Sequence, residues 1–200
     1  MELTVWLGLL ASALFISISP GPGAIFSISQ GTQNGFKRAL IAVVGLQLGL
    51  MSQIVFLLFG LGILIDQFPS VFIVIKIIGM AYLIILGLMQ WLKKIEQIAT
   101  TENQLKGTFS PLKALLQGFF VNLTNIKGTV FFLALIPLFI DLTALKLSTC
   151  LIFISTLIVI DLLVMTGYVT LAELSKSLLS DPKKILSVSY THLTLPTNRE

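Results

Sequence analysis

Apolar residues run along this chain in long, unbroken blocks. No charged residue falls between Glu2 and Lys37, and none between Arg38 and Asp66. A helix crosses the roughly 30 Å hydrocarbon core of a bilayer in about 20 residues, so both blocks are long enough to span one. The pattern predicts five spans, at 3–30, 39–65, 68–92, 112–140 and 145–172. The blocks are continuous rather than alternating, which selects helices over the strands of a membrane barrel. Segment 93–110 (KKIEQIATTENQLKGTFS) is polar and forms the one substantial loop.

Composition agrees with the pattern. Only 11% of the 200 residues are charged, against about 25% in an average soluble domain, and the mean hydropathy is +0.98. So few charges cannot cover a water-facing surface, and the class is an all-α integral membrane protein. The first block is not expected to be a cleaved signal peptide of ordinary type, since it has no basic leader and stays apolar past any plausible cleavage site. Lysine and arginine mark alternate loops. Lys37 and Arg38 follow the first span, Lys93, Lys94, Lys106 and Lys113 surround the third connection, and Lys176, Lys183 and Lys184 follow the fifth. The other loops hold Asp66, Asp141 and Lys146. Basic loops stay cytoplasmic, which places the N-terminus outside. The net charge of +4 is therefore a matter of orientation and gives no sign of nucleic acid. The single cysteine, Cys150, can form no internal disulfide.

The two halves repeat. ALFISISPGPGAIFS (13–27) aligns with GFFVNLTNIKGTVFF (118–132) at an offset of 105, Phe15 meeting Phe120, Ser17 meeting Asn122 and Gly23 meeting Gly128. Pro20-Gly21-Pro22 falls on Asn125-Ile126-Lys127. Three spans precede the second copy, so the copies run oppositely through the membrane, as in transporters built from inverted repeats with helix breaks at matching places. The first repeat covers about 1–95 and the second about 110–187 of a single membrane domain. IKIIG (75–79) resembles KKILS (183–187), but the apolar signal then ends. The sixth span is expected to be missing, and VSYTHLTLPTNRE (188–200), with the only histidine, His192, reads as a non-native read-through tail.

The breaks carry the chemistry. Pro20 and Pro22 have no N–H, so the carbonyls of Ile16 and Ile18 lose their helical partners, and Gly21 and Gly23 loosen the backbone further. In lipid such a break survives only where protein or water covers it, and the freed backbone becomes available to a ligand. Opposite it in the repeat stand Asn122, Thr124, Asn125 and Lys127. Asn122 and Asn125, three apart, are expected on one helix face that Thr129 extends. A lysine deep in a span costs about 2.5–3.5 kcal/mol and so needs a partner or a wet cavity. Asp161, the other deep charge, is expected to face the same cavity, paired with Lys127 or competing for substrate. Gln47, Ser52 and Gln53 are candidate lining residues, and Gly45-x-x-x-Gly49 reads as close helix packing.

These residues resemble the LysE/RhtB family of amino-acid exporters. The resemblance rests on SPGPGAIFSISQGTQNGFKRALIAVVGLQLG (19–49), IIGMAYLIILG (77–87) and GFFVNLTNIKGTVFFLALIPLF (118–139), and covers the chain to about residue 187. It implies six helices, export of small neutral or basic amino acids of the homoserine, threonine, leucine and lysine class, proton antiport, and a bacterial inner membrane. No cofactor is implied. The partners expected are the amino acid, protons, the lipid bilayer and, in a homo-oligomer, further copies of the chain. One departure matters: the family usually has Asn-Pro-Lys where this chain has Asn125-Ile126-Lys127, which predicts a weaker second kink. Pro20, Gly21, Pro22, Gln47, Asn122, Asn125, Lys127 and Asp161 are the candidate transport residues.

Other classes fit worse. An intramembrane aspartyl protease needs two membrane aspartates, and only Asp161 is present. A serine enzyme of the rhomboid type needs a histidine partner, and a metalloenzyme needs ligands that the spans lack. An assembly subunit would need neither matched breaks nor buried charge. Export of another small metabolite or ion remains an alternative to amino acids.

Overall fold

The computed structural model describes residues 2–68, 70, 73–74, 77, 81, 84–85, 109–142 and 144–179. Among these, six helices occur: α1 (Leu3–Ile18), α2 (Pro22–Asn34), α3 (Phe36–Gln67), α4 (Pro111–Leu123), α5 (Ile126–Phe139) and α6 (Leu147–Leu179). The third predicted span, the 77–87 motif and the polar loop lie largely outside the described residues; 183–187 and the segment 188–200 lie wholly outside them.

α3 and α6 are each long and apolar enough to cross a membrane alone. The pairs α1–α2 and α4–α5 pass the same test only when each pair is taken together, bent by 56° and 52°. The described residues thus hold two candidate spans, or four where each bent pair counts as one, in the order bent pair, long helix, bent pair, long helix. α6 runs to Leu179, seven residues beyond the boundary expected at 172.

Local chemistry accounts for both bends. Ser19 and Gly21 each precede a proline, which pushes them out of the helical region, and both are extended (φ −66°, ψ 116° and φ −145°, ψ −172°). Pro22 then opens α2 at a position where its missing N–H has no intrahelical role. The second bend has no proline. Thr124 closes α4 at φ −96°, ψ 11°. Asn125 is extended and caps α5, its Oδ1 accepting from the Gly128 N–H at 3.3 Å. A side-chain cap replaces the ring, and the expectation of a weaker second kink is corrected: the two bends differ by only a few degrees. The break also corrects the single helix face expected for Asn122 and Asn125. Asn122 belongs to α4 and Asn125 to the start of α5, and it is the bend that brings them together, with Nδ2 of Asn125 donating to Oδ1 of Asn122 at 3.4 Å.

α2 passes into α3 without a loop. Gly35, at φ 75°, makes the turn, the left-handed position that favours glycine after a helix. α3 and α4 form the most extensive helix pair. A Cβ on Gly45 would overlap the Leu115 carbonyl, one on Gly49 the Phe119 carbonyl, and one on Gly118 the Ala42 carbonyl. The spaced glycines therefore bring two backbones into contact, the packing expected of the motif.

Two apolar clusters result. One joins Leu9, Leu50, Ile54, Phe131, Ile136, Phe153 and Leu157 from α1, α3, α5 and α6. The other joins Ala24, Ala39, Val43, Leu46, Met165 and Val169 from α2, α3 and α6. The polar side chains lie between them.

Candidate functional site: a polar cavity where both helix breaks meet

On α3, near the middle of a 32-residue helix, Gln47 lies between Leu46 of one cluster and Leu50 of the other, and Gln53 follows beside Ile54. On α6, Asp161 lies between Leu157 and Met165 in the same way. A bilayer offers such groups no water at that depth, so they are tolerated where they meet one another. Gln53 and Asp161 line a cavity of about 50 Å³ whose wall also includes Ser17, Ser19, Gly21, Asn122, Asn125 and Lys127. The space suits a few waters, at about 10–15 Å³ each.

Lys127 is the second residue of α5 and reaches across to the break in the other half. Its ammonium donates to the Ser19 carbonyl and the Ser19 hydroxyl, each at 2.6 Å, and more distantly to the Ile16 carbonyl at 3.5 Å. The Ile18 carbonyl accepts from the Tyr168 hydroxyl at 2.6 Å. The two carbonyls that the prolines deprive of helical partners are thus taken by Lys127 and Tyr168.

Asp161 has separate partners. Ser17 Oγ donates to Oδ1 at 3.1 Å, and Gln47 Nε2 donates to Oδ2 at 2.8 Å. The expectation of a shared cavity for Lys127 and Asp161 agrees with the geometry, but they form no ion pair, the ammonium lying on Ser19 instead. Gln47 is 8% exposed, and its Oε1 is buried without a hydrogen-bond partner.

The remaining polar groups hold the second break. Gln53 Nε2 donates to the Asn125 carbonyl at 3.1 Å and to Thr129 Oγ1 at 2.7 Å. Asn122 Nδ2 donates to the Leu46 carbonyl at 2.9 Å, tying α4 to α3. Pro20 and Pro22 shape the first break without lining the cavity, and Gln47 stands behind Asp161 rather than on the wall. Ser52 turns back to its own helix, bonding the Leu48 carbonyl at 2.9 Å.

Sequence reasoning passed over Ser17, Ser19 and Tyr168. Ser17 was within reach, since it aligns with Asn122 in the repeat, and both are buried on the cavity wall. Tyr168 stands seven residues after Asp161, two turns along one face of α6. Ser19 carried no signal beyond its place beside Pro20.

Apolar helices gathered around a polar cavity at paired helix breaks define a polytopic membrane protein of the transporter kind. The chain matches the LysE type translocator family over residues 14–192 and belongs to it. It is 40% identical over 172 residues to an uncharacterized membrane protein of Vibrio cholerae, covering 86% of this chain and 82% of that one. It is 36% identical over 186 residues to a homoserine/homoserine lactone efflux protein of Salmonella typhimurium, covering 92% and 88%. A leucine efflux protein of Klebsiella pneumoniae is 31% identical over 142 residues, covering 70% and 65%. No solved structure matches the chain.

Proposed function

We propose that this protein exports a small neutral amino acid of the homoserine class by proton antiport, with the cavity between the two breaks as the substrate site. The observation that carries the reading is that both breaks open on one cavity holding one ammonium and one carboxylate, each on its own partners. The similarity to a homoserine/homoserine lactone efflux protein over most of both chains favours homoserine. A single deep carboxylate argues against a dibasic substrate.

Asp161 is the proton carrier in this reading. Gln47 fits both of its forms: Nε2 donates to the carboxylate, and turning the amide over would present the unpartnered Oε1 to a protonated carboxyl. The chain lies in the bacterial inner membrane with its N-terminus outside, as the basic loops indicate. The two sets of bent pair and long helix are inverted repeats.

The test is release of amino acids from preloaded cells with and without this gene. Faster homoserine release, abolished by collapsing the proton gradient, supports the reading. Unchanged release of every amino acid, with the protein in the membrane, overturns it. Asp161→Asn should remove the dependence of efflux on external pH; full retention would take Asp161 out of the coupling.

A further inference from the structure

Lys127 occupies a site built for an ammonium ion. The Ser19 carbonyl, the Ser19 hydroxyl and the Ile16 carbonyl converge on its Nζ, and the Ile16 carbonyl is free because Pro20 has no N–H to offer it. These acceptors lie at the C-terminal end of α1, the negative end of a helix dipole. A Cβ on Gly21 would stand 3.6 Å from Nζ, so a larger residue there would crowd the same space. The nest opens on the cavity that also holds Asp161. A cation arriving in that cavity finds these acceptors already filled by a side chain of the protein.

We propose that Lys127 is an intramolecular stand-in for the substrate's ammonium group. The incoming α-ammonium displaces Lys127 from Ser19 and Ile16. The freed lysine then takes the substrate's carboxylate, so the zwitterion lies between the nest and the lysine. When substrate leaves, Lys127 returns, and the break is never left with open carbonyls. This assigns Ser19 and the Ile16 carbonyl to recognition of a primary ammonium. It also explains how one lysine can both close the empty site and bind the loaded one. The inference rests on the cavity being the substrate site, but the nest can be probed without any amino acid.

The experiment uses the purified protein in lipid nanodiscs, as wild type and as Lys127→Met. With the stand-in gone, the nest is vacant. Methylammonium, a bare primary ammonium, should raise the melting temperature of Lys127→Met in a saturable way and leave wild type unmoved. Tetramethylammonium, which has no N–H, should shift neither protein. Homoserine lactone, which has the ammonium but no free carboxylate, should bind Lys127→Met about tenfold or more tightly than wild type, because the competent state is no longer a minor one. 4-Hydroxybutyrate, which has the carboxylate but no ammonium, should bind more weakly. Should Lys127→Met not fold, Lys127→Ala produced in methylammonium takes its place.

No methylammonium stabilisation, or a measurable lactone affinity left unchanged by the substitution, overturns the inference and leaves Lys127 as a helix-break cap or a plain carboxylate partner. Rescue by methylammonium with no binding of homoserine or its lactone upholds the ammonium nest and sinks the amino-acid reading instead.

Discussion

Ile16 and Ile18 differ in what replaces their lost helical bonds, and that difference can be measured. The Ile18 carbonyl depends on one hydroxyl, that of Tyr168. Tyr168→Phe removes the donor and little volume, so it should lower stability by about 1 kcal/mol, the scale of a hydrogen bond between membrane helices. A thermal melt in nanodiscs checks this, and an unchanged midpoint would mean that water serves the carbonyl equally well. Asp161→Asn should be milder still. The new amide keeps an acceptor for Ser17 Oγ, and once the Gln47 amide turns over, the new N–H donates to the otherwise unpartnered Gln47 Oε1 in place of the bond that Gln47 Nε2 now gives. Its stability should stay within about 1 kcal/mol of wild type, so any loss of pH-driven efflux reports on the proton rather than on folding. A melting temperature far below wild type would disqualify that variant as a probe. At this scale the sequence was only partly legible. Prolines announce which carbonyls they free, whereas Tyr168 and Ser19 could be named only once α6 and α5 were placed against the break.

Both helix breaks were legible as elements, but for unequal reasons. The break at Pro20 and Pro22 is legible from the two rings alone, although Lys127 and Tyr168 satisfy the carbonyls it frees. The break at Asn125 reads from sequence as the weaker copy, since a missing proline is easier to count than an asparagine cap. The geometry at Asn125 makes a specific prediction. Ile126 is the first residue of α5, it is 72% exposed, and Asn125 before it is already extended. Proline suits such a position, so Ile126→Pro should fold and transport as wild type does. Thr129→Pro, one turn further in, removes the N–H that bonds the Asn125 carbonyl and should cost about 3 kcal/mol. Equal melting temperatures for the two variants would show that the cap does not set the break. The α3–α4 contact offers a parallel test. Gly45→Ala, which drives a methyl into the Leu115 carbonyl, should cost about 1–3 kcal/mol. Gly167→Ala has nothing within 4 Å among the described residues and should be neutral or slightly stabilising.

Among the described residues the site is a small, partly open cavity of about 50 Å³ flanked by the two apolar clusters, so admitting an amino acid requires one flanking seal to part. Run lengths and charge spacing made the spans legible, but they carry no information on which faces separate. Packing does. The cluster of Ala24, Ala39, Val43, Leu46, Met165 and Val169 is made largely of small side chains. Opposite it, the cluster with Phe131, Phe132 and Phe153 buries more aromatic area and should be harder to part. The smaller seal, between α2 and α6, is therefore the expected gate. Gly31 sits on that seam, where a Cβ would come within 3.2 Å of Ala172 Cβ and 2.9 Å of the Val169 carbonyl, so α2 and α6 must ease apart by a few tenths of an ångström to reach the roughly 3.5–4.5 Å that a disulfide spans. With Cys150, the only native cysteine, replaced by alanine, the pair Gly31→Cys and Ala172→Cys should bridge on mild oxidation. The reduced pair should export amino acid, the oxidised pair should not, and dithiothreitol should restore export. Undiminished efflux through the bridged protein would mean that α2 and α6 stay together throughout the cycle, and that the aromatic side is the one that opens.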